Sequence, residues 1–571
     1  MSGRERASIR IGADVGGTFT DVVLLDAEGH VEVHKLPSTP PGFEEAVLAA
    51  VARLLARADA PGARVAAVAH GTTVATNALL EHRGARTALV TTRGFRDVLE
   101  LRRIRAPQMY DLFWQKPPAL VERALRLELS ERIGADGAVV QPLDMAELEL
   151  LAERLGREGV EAVAVCLLHA YAYPEHERAV GELLRRRLPG VAVSLSHEVL
   201  PERREYERSA TTAVNAYVQP VMRRYIAALS DGLRGAGIAA PLLLMQSSGG
   251  LTPGDEAARL PVYVLESGPA AGVLAASVFA ARAGLPDAIT LDIGGTTAKA
   301  SLIAGGRVAY SPEYEVGASL SVGNRLVGGG GELIRAPSID IAEIGAGGGS
   351  IAFLDPAGGL HVGPRSAGAR PGPVCYGRGG DQPTVTDANV VLGFVREGPI
   401  ADGEVRIDRA AAERAIAERV AAPLGLATLV AADGIHRIAN AHSLRALRAV
   451  STERGHDPRD FALVAFGGAG PLPPAAPPPG PGRRRGGRPP PPPRLRLGGL
   501  RGRGPRPRGP PRPRAGLPGR GRPAAARAVQ RRGPPGLGRR APRRAQLPAD
   551  RRRGLRPGPG GDRRRAARAH A

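Results

Sequence analysis

Two hydrophobic periods alternate along the first half of the chain. Short apolar runs typical of buried β-strands occur at IRIGADV (9–15), DVVLLD (21–26) and VEAVAVCLL (160–168). Apolar residues recur at helical spacing in GFEEAVLAAVARLLARA (42–58) and DMAELELLAERL (144–155). This alternation predicts an α/β fold with a largely covered sheet.

The same alternation continues in the second half. A long helix is predicted to start near Pro201 and to run through residues 204–229, with a kink at Pro220. AITLDI (288–293) and ALVAF (462–466) are predicted strands. The pattern divides the chain into three parts, predicted as an N-terminal domain, a second domain and a tail: 1–200, 201–472 and 473–571.

The tail differs in composition from everything before it. Residues 473–571 hold 29 arginines, no lysine and two acidic residues, a charge of +27 that leaves −5 on residues 1–472. Only nine residue types occur in the tail, and each can be encoded by a codon that begins with C or G. We interpret the tail as the frameshift product of a GC-rich gene. The alternative is a genuine Arg/Pro/Gly segment that binds nucleic acid with steep salt dependence. Under either interpretation it has too few apolar residues to fold and is expected to be disordered.

Composition also argues against several classes of protein. Cys166 and Cys375 are too few for a disulfide framework or a cysteine metal cluster, and Cys166 is expected to be a buried, unreactive thiol. The first residues lack the apolar core of a secretion signal, and no uninterrupted apolar run reaches about 20 residues. We therefore expect a cytoplasmic protein without a membrane span.

A glycine motif occurs twice and carries the candidate chemistry. Asp14-Val15-Gly16-Gly17-Thr18 is matched by Asp292-Ile293-Gly294-Gly295-Thr296, and each copy stands between two apolar strands. Glycine allows backbone N–H groups to approach phosphate oxygens, and the hydroxyls of Thr18, Thr296 and Thr297 add donors. Asp14 and Asp292 could hold Mg²⁺ directly or through water. A single copy could be an ordinary tight turn, but two copies could clamp a nucleoside triphosphate between them.

Further candidates are less specific. The turn FGGAGP with Gly467 and Gly468 follows a strand, and Gly347 and Gly348 lie in a second glycine-rich loop. The first is similar to a turn that lies against adenosine, and the second could be another phosphate or substrate loop. For both, a structural turn is the alternative.

Three histidines and a helix start leave alternatives open. His70 and the nearby Thr72 are candidates for contact with substrate or phosphate, and the alternative for His70 is a hydrogen-bonded histidine at the end of a strand. SGPAAG (267–272) could direct a helix N-terminus at an anion or could allow close helix packing. His169 and His176 could bind a metal, but no third ligand is apparent in the sequence.

Long motifs resemble a known family. The two Asp-x-Gly-Gly-Thr hairpins and the FGGAGP turn together resemble the superfamily of actin, sugar kinases and heat-shock ATPases. HGTTVATNALLEHRGARTALVTTRGFRDVLEL, LESGPAAGV, LDIGGTTAKASLI and VGPRSAGARPGPVCYGRGG are similar to the hydantoinase A/5-oxoprolinase family. The similarity covers residues 8–472.

The resemblance implies a two-lobed ATPase fold with an ATP cleft between the lobes and ATP-dependent opening of a cyclic amide. ATP and Mg²⁺ would bind at Asp14, Asp292 and the glycine loops, and the ring substrate would be phosphorylated on its amide oxygen. The family also implies a B-type partner subunit and an oligomer. The alternatives are a subunit of an ATP-dependent acetone- or acetophenone-type carboxylase and a non-catalytic ATP-binding protein. No specific nucleic acid or membrane partner is expected.

Overall fold

A computed structural model describes residues 8–103, 111–317, 320–321 and 330–472. The α/β prediction is confirmed by helices and strands that alternate along this part of the chain. The tail, residues 473–571, lies outside the described residues, so its predicted disorder stays a prediction.

The strands, in chain order, are β1 (Ile9–Val15), β2 (Phe19–Leu25), β3 (Val31–Pro37), β4 (Val65–Thr72), β5 (Thr87–Thr92), β6 (Arg126–Leu129), β7 (Arg132–Ile133), β8 (Val139–Gln141), β9 (Ala162–Cys166), β10 (Ala192–Leu195), β11 (Leu242–Met245), β12 (Leu251–Pro253), β13 (Ala288–Ile293), β14 (Ala298–Ala304), β15 (Arg307–Val308), β16 (Tyr310–Ser311), β17 (Tyr314–Val316), β18 (Leu320–Ser321), β19 (Glu332–Ile334), β20 (Ser338–Ile339), β21 (Ile341–Ile344), β22 (Ser350–Leu354), β23 (Leu360–Ser366), β24 (Gly398–Ile400), β25 (Val405–Ile407) and β26 (Ala462–Phe466).

The α-helices are α1 (Phe43–Arg57), α2 (Val74–Leu80), α3 (Val98–Leu101), α4 (Met145–Arg157), α5 (Glu175–Arg187), α6 (Ser196–Val199), α7 (Glu205–Gly235), α8 (Gly254–Arg259), α9 (Ser267–Arg282), α10 (Val385–Val391), α11 (Arg409–Ile416), α12 (Ala422–Leu424) and α13 (Thr428–Val450). A π-helical turn, Ala417–Ala421, joins α11 to α12.

The first sheet is mixed and has the strand order β12-β11-β4-β1-β2-β3. Alternate residues of β1 are buried because one side of each pleat faces the helix layer. Helices α1 and α7 contribute apolar side chains to that core. In register, Asp14 pairs antiparallel with Asp21 and parallel with Gly71, so the end of β1 meets the end of β4.

The second sheet, β10-β9-β5-β6, is parallel throughout. Its central strands β5 and β9 are buried along their whole length, as expected for a parallel sheet covered on both faces. Cys166 ends β9 and is buried, which confirms the expected buried thiol.

The third sheet has the order β18-β21-β14-β13-β26, with β15 paired to β14. Strands β13 and β14 form a hairpin around the second glycine pair, and β26 runs parallel to β13 with Phe466 opposite Asp292. Helix α13 shares an apolar core with β13, β14 and β21.

Helix α7 connects the first two sheets. Its 31 residues form one helix that contains Pro220, the position of the predicted kink. Its buried side chains enter the cores of both the first and the second sheet. Strands β11 and β12 follow it and complete the first sheet, although they lie beyond the predicted division at residue 200.

Among the described residues, no single helix is both long and apolar enough to cross a membrane. One pair, Arg409–Leu424 and Thr428–Arg454, meets the criteria of length and composition only when its members are taken together, across a bend of 91°.

Candidate active site

The two glycine turns are built alike. The Gly16 N–H donates to the Phe19 carbonyl over 3.0 Å, and the Gly294 N–H donates to the Thr297 carbonyl over 3.0 Å. Each bond closes a turn between two antiparallel strands. As a result, Asp14 in the first hairpin and Asp292 in the second occupy equivalent places, two residues before the closing bond.

The two turns face each other at contact distance. A Cβ placed on Gly295 would lie 2.5 Å from Thr18 Oγ1, and one placed on Gly17 would lie 4.0 Å from Thr296 Oγ1. The threonine of each hairpin therefore lies against the glycine of the other. The equivalent Asp-x-Gly-Gly-Thr segments, 278 residues apart in sequence, are adjacent in the fold.

Four backbone donors at this contact are unused by the protein. Within the described ranges, the N–H groups of Gly17, Thr18, Gly295 and Thr296 donate to no backbone or side-chain acceptor. Successive free N–H groups in glycine turns form concave sites that favour anions. The pair of hairpins thus offers donors from both sides.

Charged side chains follow the hairpins across the neighbouring strands. In the first sheet three residues stand opposite one another in register: Asp14, Asp21 and Lys35. The third sheet has an equivalent row: Asp292, Lys299 and Glu343. The two rows occupy the same places relative to their turns but differ in the order of their charges.

Lys299 is the centre of a largely buried ion network. Its Nζ lies 2.5 Å from Glu266 Oε2 and 3.1 Å from Glu343 Oε1, and the three side chains are only 12%, 14% and 18% exposed, respectively. Burial opposes the charge of Lys299, but the two carboxylates outweigh it and raise the lysine pKa above its usual range. Glu266 Oε1 is buried without a hydrogen-bond partner. In the first row, by contrast, Lys35 and its partner Asp21 are 37% and 42% exposed.

Burial also shifts the two equivalent aspartates. It raises the pKa of Asp14, and the nearby charges of Asp21 and Asp292 raise it further. Protein surrounds the Asp14 carboxylate on most sides, although the residue remains exposed to solvent. Burial likewise raises the pKa of Asp292, which Lys299 partly offsets. Both carboxyl groups therefore favour a neighbouring cation.

Glycines allow helix α9 to approach the first hairpin. A Cβ on Gly268 would lie 2.8 Å from Asp14 Oδ1, and one on Gly71 would lie 3.0 Å from the same oxygen. Further along α9, a Cβ on Gly272 would meet the Phe466 ring at 2.6 Å. SGPAAG therefore allows close packing, the second of its two interpretations, and that packing brings the helix N-terminus against the Asp14 carboxylate.

The loop with Gly347 and Gly348 lies directly behind the second hairpin. The Gly348 N–H donates to the Gly294 carbonyl over 2.9 Å, and the Gly347 N–H donates to Ser350 Oγ over 2.9 Å. These two amides are therefore already hydrogen-bonded within the protein. Their position supports the hairpin from behind.

The turn after β26 adjoins the same hairpin from the other side. Gly467 has φ +83°, and a Cβ there would lie 2.2 Å from Asp292 Oδ1. Only glycine fits such a conformation at that distance. Gly468 is exposed, and a Cβ placed on it would have no atom within 4 Å, so this side of the turn is open.

The structure does not support substrate contacts by His70 and Thr72. His70 is buried, its Nδ1 lies 3.1 Å from the Ala13 carbonyl, and its Nε2 lies 2.7 Å from Tyr225 Oη. Thr72 is also buried, with its N–H donating to Ser267 Oγ over 3.0 Å. Both residues contact helices, His70 through Tyr225 of α7 and Thr72 through Ser267 of α9. His70 thus fits the alternative interpretation, a hydrogen-bonded histidine at the end of a strand.

The charged residues beside the hairpins form no recognisable sequence motif. Lys35, Glu266, Lys299 and Glu343 come from four separate elements, so no local motif unites them. One signal was available for Lys299, because the tight hairpin around Gly294 places it opposite Asp292 in an antiparallel pair. The other three depend on the order of the strands and on where α9 begins.

This fold and site define a class: an α/β protein in which two equivalent glycine hairpins with adjacent aspartates meet face to face. The chain belongs to the hydantoinase/oxoprolinase family. The profile of the hydantoinase/oxoprolinase N-terminal region matches residues 10–188, and the hydantoinase/oxoprolinase profile matches residues 208–476.

Three curated relatives place the chain within the family. It is 42% identical over 468 residues to an uncharacterized protein of Methanocaldococcus jannaschii, covering 81% of this chain and 68% of the relative. It is 40% identical over 474 residues to the caprolactamase subunit alpha of Pseudomonas jessenii, covering 81% of this chain and 65% of the relative. For the acetophenone carboxylase gamma subunit of Aromatoleum aromaticum, identity is 36% and the coverage is 81% and 63%. The chain thus spans about two thirds of the length of these relatives.

Two solved structures share the fold. A nucleotide-free acetone carboxylase superposes with a TM-score of 0.72 at 26% identity, over 81% of this chain and 66% of the other. The ATP-dependent caprolactamase of Pseudomonas jessenii superposes with a TM-score of 0.65 at 41% identity, also over 81% and 66%.

Proposed function

We propose that the facing hairpins bind the phosphates of ATP and that the protein uses ATP to open a cyclic amide such as a hydantoin or 5-oxoproline. The observation that carries the proposal is the contact between the two Asp-x-Gly-Gly-Thr turns. It places free N–H donors and an aspartate on each side of that contact. The family membership and the ATP-dependent caprolactamase relative support the same reaction class.

The residues present fit a bound Mg²⁺. Five acidic side chains but only two lysines lie around the hairpins. A triphosphate bound there would therefore need a cation to offset its charge. The seven residues are Asp14, Asp21, Glu266, Asp292, Glu343, Lys35 and Lys299. In this proposal Asp14 and Asp292 hold the ion, directly or through water. The ion would neutralise charge on the phosphates during phosphoryl transfer.

The protein's own groups would position the transfer. The N–H groups of Gly17, Thr18, Gly295 and Thr296 would hold phosphate oxygens, each charge-assisted hydrogen bond contributing about 1.5–3 kcal/mol. Gly347 and Gly348 would support the second hairpin, and the turn with Gly467 and Gly468 would lie beside adenosine.

The chemistry explains the use of ATP. Resonance makes an amide carbonyl a poor electrophile. Transfer of the terminal phosphoryl group to the amide oxygen releases ADP and activates the carbonyl carbon. One water then adds to that carbon as the ring C–N bond breaks, and a second water releases the phosphate. The products are the ring-opened amino acid, ADP and phosphate.

We further propose a B-type partner subunit. Two relatives are named as single subunits, caprolactamase subunit alpha and acetophenone carboxylase gamma subunit. A partner would receive the activated ring and complete its opening, and the assembly would be an oligomer.

The test measures nucleotide binding separately from turnover. Calorimetric titration with MgATP is compared between the wild type, Asp14→Asn and Asp292→Asn. We expect both variants to lose most binding and all lactam-dependent ATP hydrolysis while remaining folded. Asp26→Asn, at the far end of the β1–β2 hairpin, is the matched control and should bind normally. Normal MgATP binding by both site variants would refute the assignment of the hairpins.

The second candidate is an ATP-dependent carboxylase subunit. It is favoured by the superposition with acetone carboxylase, which has the higher TM-score of the two solved structures. Turnover assays with a partner subunit separate the two: ring opening of hydantoin, 5-oxoproline or caprolactam supports the first, and bicarbonate-dependent carboxylation of a ketone supports the second. MgATP binding without turnover in any of them would favour a non-catalytic ATP-binding protein.

A further inference from the structure

The parallel sheet β10-β9-β5-β6 has a topological switch point between β5 and β9. The chain leaves β5 toward β6 on one side and leaves β9 toward β10 on the other. In open α/β sheets, ligands bind in the crevice outside the carboxyl ends of the strands where such a reversal occurs. Here β5 ends at Thr92 and β9 ends at Cys166, and Thr91 Oγ1 donates to the Cys166 carbonyl over 2.8 Å.

Arg208 lies at this switch point with an incomplete set of partners. Its side chain is only 1% exposed. Its Nε–H donates to Cys166 Sγ over 3.3 Å, and its Nη2 donates to the Leu167 carbonyl over 2.7 Å. Nη1 is buried without any hydrogen-bond partner, and no described carboxylate lies within 4 Å of the guanidinium. A buried charge without an ionic partner is costly, so the group is suited to receive an anion.

The loop after β9 supplies a second unsatisfied group. His169 has φ +58°, a conformation that is uncommon outside glycine. Its Nδ1 is buried without a hydrogen-bond partner. The neighbouring Tyr171 ring lies 5.4 Å from the Arg208 guanidinium carbon and packs against it. The loop after β9 therefore contributes one unpaired polar atom and an aromatic ring, and the first turn of α7 contributes the other unpaired atom, Nη1 of Arg208.

Two acidic residues act on Arg208 from beyond 4 Å, Glu177 and the partly buried Glu205, and Glu177 is already saturated. Glu177 is fully buried and accepts hydrogen bonds from the Leu167 N–H over 3.0 Å and from Ser196 Oγ over 2.6 Å. Its second oxygen lies 2.6 Å from His197 Nδ1. Glu177 therefore has no free oxygen to pair with Arg208, and a ligand would meet the unpaired guanidinium nitrogen.

We propose that the carboxyl end of this sheet is a second ligand site, in which Arg208 binds the oxyanion of a small molecule bearing a carboxylate or a phosphate. The site is separate from the glycine hairpins. Arg208 and Tyr225 lie 17 residues apart on α7, about 25 Å along the helix, and Tyr225 is the residue that contacts His70 behind the first hairpin.

The experiment uses the full chain and a local readout. Hydrogen exchange is measured in peptides covering 166–173 and 205–212, with acetate or inorganic phosphate titrated against chloride at constant ionic strength. Any anion binding by the arginine-rich tail would be common to all variants and would be read in peptides other than these two. The variants are Arg208→Gln and Arg208→Lys. The matched control is Arg126→Gln, because Arg126 is also buried but is paired with Glu100 at 3.0 Å.

We expect saturable protection of both peptides in the wild type and in Arg126→Gln. Loss of a charge-assisted hydrogen bond should weaken binding about 10- to 150-fold in Arg208→Gln. Protection by acetate alone identifies a carboxylate ligand, and protection by phosphate alone identifies a phosphate ligand. If Arg208→Gln does not fold, Arg208→Lys decides, because it keeps the charge but loses the fork and should bind more weakly. Absence of protection in the wild type with both anions, or equal protection in the folded Arg208 variants, would overturn the proposal.

Discussion

Replacement of Lys299 by methionine tests the ion network beside the second hairpin. Lys299→Met keeps the length of the side chain but leaves Glu266 and Glu343 together without their shared cation. All three side chains are less than one fifth exposed, so water cannot take the place of the ammonium group. Removal of one partner from a buried ion pair costs about 3–5 kcal/mol.

Native-state hydrogen exchange measures this cost where it arises. Amides of β14, which carries Lys299, should exchange roughly 10²- to 4 × 10³-fold faster in the variant, the factor that corresponds to about 3–5 kcal/mol. Lys35→Met is the matched control because Lys35 is the lysine of the corresponding row beside the first hairpin. Lys35 and Asp21 are more than one third exposed, so that change should cost no more than about 1 kcal/mol.

The pH dependence gives the prediction a sign. Burial already raises the pKa of Glu266 in the presence of Lys299, and loss of the lysine raises it further. When the folded pKa of a carboxyl group lies above its unfolded value of about 4.3, the folded state loses stability as the pH rises from the unfolded pKa to the folded pKa. The deficit of Lys299→Met should therefore grow as the pH rises above about 4.3, and Glu266→Gln should partly restore the variant. A deficit that equals that of Lys35→Met, or that does not change with pH, would refute the reasoning.

Three other predictions use matched positions or a buried group. Gly295→Ala should reduce MgATP affinity at least tenfold in calorimetric titration, because its Cβ meets the threonine hydroxyl of the opposite hairpin at 2.5 Å; Gly294→Ala, whose Cβ has 3.9 Å of clearance, should bind normally. Burial lowers the pKa of His70 to about 4, so the unfolded chain takes up a proton first as pH falls from 6.5, and up to about 3 kcal/mol is lost by pH 4. The thermal midpoint of His70→Gln should start lower at pH 8 and fall less with acid, and a parallel decline would contradict the assignment. In α7, Gly235→Ala should stabilise the protein by up to about 1 kcal/mol, since nothing lies within 4 Å of its Cβ, whereas Gly232→Ala meets a leucine at 2.2 Å and should lower the thermal midpoint.

Much of the secondary structure followed from the sequence. The predicted strands at 9–15 and 288–293 and the predicted helix at 42–58 are present as β1, β13 and α1. They were predictable because their apolar periods are long and uninterrupted. The glycine hairpins were predictable for a local reason, since a glycine pair between two apolar strands leaves few alternatives to a turn.

The buried histidine and the supporting loop were not predictable in the same way. Whether His70 faces the glycine hairpins or the helix layer depends on its hydrogen bond with Tyr225, which lies 155 residues further along the chain. The Gly348 N–H is not free, because it donates a hydrogen bond to the Gly294 carbonyl, 54 residues earlier in the chain. Such partners are set by packing over long separations and leave no local pattern.

By itself, the sequence determined the elements, the repeated aspartate–glycine turns and the family, because these depend on local periodicity and on long contiguous motifs. Only the tertiary structure decided that the two turns meet, that Lys299 balances two buried carboxylates and that Arg208 lacks an ionic partner. Burial and long-range pairing fix the energy of a charge, and both arise only when distant segments of the chain come together.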